Sequence, residues 1–253
     1  AGEYFLFRQP FEGQNLQRIG KGVAGAQQIT ISFYVKANAA FTFGCELEDK
    51  DNNRNITILF DTTTDWVRKV ITIPADVDDG SSPFDDDNAE SLRLNIWLHA
   101  GSTYTSGTLG TSWYNRVDAN RAAGIDSFFS STDNNFFITG VQMEVGPVAT
   151  EFEQEDISTT LAKCQRYFET GKAGAVGNHP NEAGFFGGVV HYKVDKRAAP
   201  TLAQSGQSYR EVSGDTIYIG SHGQQYALNL VNGFAYDAIH NGSNCKYIFT
   251  YTA

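Results

Sequence analysis

The residues best suited to chemistry lie on one short alternating stretch. Leu92, Leu94, Ile96 and Leu98 recur at every second position, and Arg93, Asn95, Trp97 and His99 fill the places between. On a strand the two sets point to opposite faces, so an apolar set meets a core and an indole stands among three hydrogen-bonding side chains on the other side. That is the chemistry of a sugar-binding surface: a flat ring stacks on the apolar face of a pyranose while polar groups bond its hydroxyls. Tyr34 falls on an equivalent outer face of another stretch, and Trp113, Tyr114 and Arg116, with Tyr104, form a second candidate patch in a Gly/Ser/Thr-rich segment. The same pattern fits a Trp97 covered by a loop or a neighbouring subunit, its ring serving packing instead of a ligand.

Other chemistries leave less trace. There is no GxSxG elbow, HExxH pair, P-loop or GxGxxG turn. His99, His179, His191, His222 and His240 are scattered, with no sequence neighbour that makes a nucleophile or a metal pair, and are expected to be exposed polar residues. Glu144, Glu151, Glu153 and Glu155 cluster in sequence, but a glycosidase needs two carboxylates ~5 to 9 Å apart in a cleft, which clustering does not establish. Residues 75–90, ADVDDGSSPFDDDNAE, hold seven acidic side chains in 16 positions, dense enough to ligate Ca²⁺ yet without EF-hand spacing; a solvated acidic loop is the expectation. The sequence thus predicts no catalytic residue, no bound metal and no cofactor.

The elements that must position these residues are mostly strands. With 25 Gly, 18 Phe and 12 Tyr against one Met, the composition favours strands and tight turns, and an all-β fold is expected. Residues 29–35, 41–47, 56–60 and 92–98 read as strands, as does 136–145, where Phe137, Val141, Met143 and Val145 are assigned one face and Phe136, Ile138, Gln142 and Glu144 the other. Gly146-Pro147 then stops the strand. Asp156 can cap a helix whose apolar positions Ile157, Leu161, Cys164 and Phe168 follow at spacings of four, three and four, with Gly171 where a C-terminal cap belongs. Short strands follow at 185–194, 216–220, 225–230, 233–239 and 247–251, with turns at Gly187-Gly188, Ser213-Gly214, His222-Gly223, Asn232-Gly233 and Asn241-Gly242. The division is residues 1–154, a linking helix over 155–171 and a small β subdomain over 172–253.

The chain of 253 residues carries a formal charge of -10, which argues against a nucleic-acid surface and against anionic membranes. No apolar run approaches the ~20 residues that span a bilayer. The start, AGEYFLFRQP, lacks a basic region followed by an apolar core, so a soluble chain without a secretory signal is expected; it also begins without Met, which leaves room for an upstream domain. Cys45, Cys164 and Cys245 are odd in number and far apart, and read as free buried thiols.

The run ITGVQMEVGPVATEFE followed by LAKCQRYFE resembles a signature of tail-fibre and other appendage proteins of tailed bacteriophages, in which a jelly-roll module ends in a "GVQxExG…ATxFE" strand and continues into a "CQRYY"-like helix. Upstream, FRQPFEGQNLQRI, QQITISFYVKA and DWVRKVITIPAD look like the opening strands of that module; downstream, VDKRAAPTL looks like its "MRxxPT" segment, and IFTYTA like the start of the last strand. The resemblance implies a jelly-roll β-sandwich over 1–154, a place in the virion after synthesis in the host cytoplasm, a homotrimer among other virion proteins, and attachment to host-surface glycans without enzymatic activity. Ile157, Leu161, Cys164 and Phe168 are then candidates for the oligomer interface, although a stripe packed on its own core looks the same. Carbohydrate-binding jelly rolls often hold a structural Ca²⁺ on an early acidic residue and a late Asp pair; Glu12 could stand for the first, but Thr139-Gly140 replaces the pair, so no calcium is implied. Two alternatives stand: a purely structural or decoration protein of the virion, and a carbohydrate-binding module of a larger enzyme.

Overall fold

In the computed structural model, residues 1–77, 82–177, 192–198, 203–213, 216–220, 229–231, 234–236 and 245–252 are described, those of 171–177 and beyond 202 by their backbone course. The chain forms two compact units, Ala1–Glu153 and Gln154–Ala253.

The first unit contains strands β1 (Tyr4–Glu12), β2 (Ile29–Ala37), β3 (Thr42–Asp49), β4 (Arg54–Asp61), β5 (Val67–Ile73), β6 (Glu90–Ala100), the two-residue β7 (Tyr114–Asn115) and β8 (Phe136–Val145), with one helical turn, α1 (Ser102–Thr105), after β6. They make two antiparallel sheets, ordered β1-β6-β3-β4-β7 and β5-β2-β8. Every second residue of β2 (Ile29, Ile31, Phe33, Val35) and of β3 and β6 (Phe43, Cys45, Leu47; Leu92, Leu94, Ile96, Leu98) enters one apolar cluster shared by both sheets, which gives a β-sandwich-like unit. Burying each large side chain of this set stabilises the fold by roughly 1.5–3 kcal/mol. The all-β expectation holds.

Two local readings are corrected. The strict two-face alternation over 136–145 fails, because a bulge at Gly140 (φ 60°) inserts a residue between the pairs Ser32–Gln142 and Tyr34–Thr139. Before it the even residues Phe136 and Ile138 reach the core, and after it the odd residue Met143 does, leaving Phe137, Gln142 and Glu144 on the outer side. An extra residue inverts the phase of everything beyond it. Secondly, β3 and β6 are buried on both faces, not one.

In the second unit, helix α2 (Ile157–Gln165) starts as expected, with the Asp156 carboxylate accepting from the Ser158 amide at 2.8 Å. It ends sooner than 171: Gly171 lies in strand β9 (Thr170–Gly177), paired with Tyr251. The last carbonyls of the helix are met by a distant segment, Lys196 Nζ donating to the Gln165 carbonyl at 2.6 Å and the Arg197 amide to that of Arg166 at 3.1 Å, so no glycine cap is needed. Strands β10 (Ala203–Ser213), β11 (Thr216–Gly220), β12 (Asn229–Val231), β13 (Phe234–Tyr236) and β14 (Cys245–Thr252) follow, forming a sheet β11-β10-β14-β9 and the pair β12-β13. β9 and β10 have no counterpart among the expected strands. Of the strand expected at 185–194 only 192–194 are described, and they are not in a strand; of the expected glycine turns only Ser213, the last residue of β10, is described, and the rest lie outside the described residues.

Candidate functional site

The outer face of the five-stranded sheet is covered over β3 and the middle of β6, while the β1 edge stays exposed at Arg8 and Pro10. Register sets Gly44, Glu46 and Glu48 of β3 opposite Trp97, Asn95 and Arg93 of β6, and opposite Leu59, Thr57 and Asn55 of β4. The Gly/Ser/Thr-rich segment 101–127 folds over this face: the Thr57 hydroxyl donates to the Arg121 carbonyl at 2.8 Å, and the Tyr104 ring and Arg121 guanidinium lie 5.4 and 5.2 Å from the Trp97 ring. The expected open platform is therefore absent at Trp97, which is 1% exposed and donates its indole N–H to Glu46 at 2.8 Å. Asn95 is equally buried, bonding Glu46 and accepting from Arg8. The covered alternative is the one realised, because alternation separates two faces without stating what lies on the second.

Glu46 and Glu48 organise this layer, and neither they nor Arg121 stood out in the sequence. Glu46 accepts from Arg121 Nε and Nη2 (2.8 and 3.0 Å), Asn55 (3.1 Å), Asn95 and Trp97, which fills the acceptor capacity of a carboxylate. Glu48 meets Arg121 (2.9 Å), Arg116 (2.8 Å), Arg93 (3.6 Å) and Lys50 (3.7 Å). Burial alone would raise the Glu48 carboxyl, but these cations outweigh it and hold it below the usual value. Burial likewise opposes the Arg121 charge, yet its bonds to Glu46 and the nearby Glu48 and Asp118 keep it above its ordinary value. Both groups stay charged near neutral pH, so the layer holds fixed ion pairs. A signal was present: two glutamates at alternate positions of an otherwise buried strand require cations from elsewhere. Nearby, Lys21 is buried against Asp49 (2.7 Å) and the Ser82 carbonyl (2.7 Å), and Arg54 forks onto Asp76.

The other expected ligand residues are mostly committed. Arg93 pairs with Glu90 at 2.5 Å, and His99 Nδ1 meets the Ser127 hydroxyl at 2.8 Å. The Trp113 indole donates to the Pro74 carbonyl while its ring joins the core, and the Tyr114 hydroxyl donates to the Asn120 carbonyl and accepts from Asn55. Of the two cysteines whose side chains are described, Cys45 is buried, its thiol pushed well up by burial and by the Glu46 charge, but Cys164 is exposed, contrary to expectation. The α2 stripe has no apolar cover among the described residues: Ile157 is 77% exposed, and Leu161 and Phe168 are also exposed.

Tyr34 lies on the other sheet, and there the outer face is half open. Register sets out rows across β5-β2-β8: Lys36 beside Phe137, then Arg68–Tyr34–Thr139, Val70–Ser32–Gln142 and Thr72–Thr30–Glu144. Residues 146–153 strap the last two rows. Gln142 donates to the Thr150 hydroxyl and the Glu151 carbonyl and accepts from the Glu153 amide; Glu144 accepts from the Thr150 amide and hydroxyl; Arg68 reaches the Thr150 carbonyl. The Thr150 hydroxyl and Gln142 hold the Glu144 carboxyl below its usual value. These are the residues of the GVQMEVGPVATEFE run, and in this fold their polar atoms tie the exit segment to the sheet. The first two rows remain open, with Trp66, just before β5, meeting Phe137 at 6.5 Å. Trp66, Phe137 and Tyr34 are 47, 48 and 39% exposed, and Phe152 stands beside Tyr34 over the Cα of Gly140.

Among the described residues no group of three or more His, Cys, Asp or Glu gathers as a metal cluster would, and no helix is long and apolar enough to cross a membrane. Set against protein families, characterised proteins and solved structures, the chain matches none.

Proposed function

We propose that the chain is a non-enzymatic component of a tailed-phage virion appendage, a tail fibre, that attaches the particle to host cells by holding surface glycans. The observation that carries this reading is the open half of the three-stranded face, where Trp66, Phe137 and Tyr34 stand in solvent beside Lys36. Half-exposed flat rings flanked by polar groups are what the apolar face of a sugar needs. The likeness of ITGVQMEVGPVATEFE and LAKCQRYFE to appendage proteins supports the virion setting, and the five-plus-three strand arrangement supports a jelly-roll connectivity. The fixed charges of Glu48 and Arg121 favour a structural role for the sealed layer, since a general acid or base must exchange a proton near the working pH. As a homotrimer the protein repeats a weak sugar site, and many fibres repeat it again, so effective concentration turns shallow contacts into firm attachment.

A purely structural or decoration role is the second reading, favoured by the exposed stripe Ile157, Leu161, Cys164 and Phe168, an apolar surface that another virion protein would cover. Sedimentation equilibrium followed by a glycan array on the same sample separates the two. A trimer that retains a glycan supports the attachment role, a trimer that retains none moves the assignment to a structural part, and a monomer that retains one favours a module of a larger enzyme.

A further inference from the structure

We infer that the open rows of the three-stranded face form a binding site for an acidic polysaccharide, with Trp66 and Phe137 as stacking walls, Lys36 as the anion contact and Tyr34 as the continuing platform. The inference rests on the glycan-binding reading and adds the site and the charge class. Lys36 Nζ sits 5.3 Å from the Trp66 ring centre and 5.2 Å from that of Phe137, whose centres are 6.5 Å apart, so its ammonium lies over both rings from one side. It makes no ion pair among the described residues, and neither do Arg68 and Lys69 of the same sheet, whereas Lys21, Lys50, Arg54, Arg93, Arg116 and Arg121, which serve the five-stranded sheet, are each matched by a carboxylate. A cation without a carboxylate partner beside two half-exposed rings offers a ligand both a flat apolar surface and one positive charge.

A uronic or other acidic sugar presents the complement, ring C–H groups on its faces and a carboxylate at its rim. The next row repeats the arrangement about 6.7 Å along the strands. There Tyr34 lies between Arg68 and Thr139. The Arg68 guanidinium bonds the Ser32 hydroxyl and the Thr150 carbonyl, so it adds long-range positive potential while Lys36 makes the contact. Gly140 shapes the floor, since a Cβ there would stand 3.3 Å from the Tyr34 ring and 3.6 Å from that of Phe152. A second copy of this chain is the competing occupant, and its net negative charge would also seek a cation.

The test is an array of uronate- and sialate-containing oligosaccharides, each beside its carboxyl-reduced neutral form, probed with the full chain and read again by titration calorimetry. Wild type is expected to hold acidic forms about two- to fivefold above the reduced ones, with the preference shrinking as salt rises. Lys36→Met should erase that preference, Lys36→Arg should keep it, and Trp66→Ala or Phe137→Ala should weaken all binding roughly tenfold or more. Equal retention of acidic and neutral forms, unmoved by Lys36→Met, overturns the inference and leaves the glycan reading standing. No retention of any glycan overturns both. A fall in oligomer mass on Trp66→Ala, without any glycan bound by wild type, assigns the face to a second copy and overturns it too.

Discussion

Arg121→Met removes the cation that meets Glu46 while leaving the carboxylate, 0% exposed, where water does not reach it. Methionine keeps an unbranched apolar side chain of nearly the length of the arginine stem but loses the guanidinium, 5.2 Å from the Trp97 ring, so the change removes the charge and its contact with the indole while leaving a side chain to fill the space. Glu48 retains Arg116, Arg93 and Lys50, whereas Glu46 is left with the neutral donors Asn55, Asn95 and Trp97. Removing one partner of a buried pair costs about 3–5 kcal/mol, because the remaining charge is uncompensated. With three donors still in place the lower end applies, about 3 kcal/mol. At a urea dependence of roughly 2 kcal/mol per molar, the unfolding midpoint falls by about 1.5 M. All three tryptophans lie in the first unit, so indole fluorescence during urea denaturation follows this unit selectively. Adding Glu46→Gln to Arg121→Met takes away the stranded charge and should recover most of the loss, a coupling of about 2 kcal/mol. A midpoint shift under about 0.5 M, or a double variant no better than the single, would refute the view that charge compensation holds segment 101–127 on the sheet.

Acid should weaken the same unit. Burial raises the Glu48 carboxyl but its four cations outweigh that and leave it depressed, so its contribution is present above the unfolded value of about 4.3 and is lost as pH falls through the folded one. Urea midpoints should be flat from about pH 7 to 5 and fall below about pH 4.3, less steeply in Glu48→Gln; a midpoint that rises on acidification contradicts this. Gly140→Ala should lose about 1–2 kcal/mol, because alanine is strained at a φ of 60° and its Cβ would press on the Tyr34 ring; an unchanged midpoint with an unchanged Tyr34 environment by NMR would show that the bulge tolerates a side chain.

Much of the framework was legible in the sequence because period-two alternation is a direct consequence of strand geometry. Residues 29–35, 41–47, 56–60 and 92–98 gave both the strands and their core faces, and Asp156 gave the helix start, since those signals are local. Tertiary structure decided what local signals do not carry. One extra residue at Gly140 inverted the faces of β8, and register placed Glu46 and Glu48 opposite Asn95 and Arg93. Arg121, more than 70 positions from either glutamate, closed the layer and took Trp97 out of solvent. Trp66 and Phe137, remote in sequence, became neighbours around Lys36 only because β5 and β8 flank β2. Sequence therefore determined which side chains share a face of each strand, whereas whether that face met water, a loop or a ligand depended on long-range pairing.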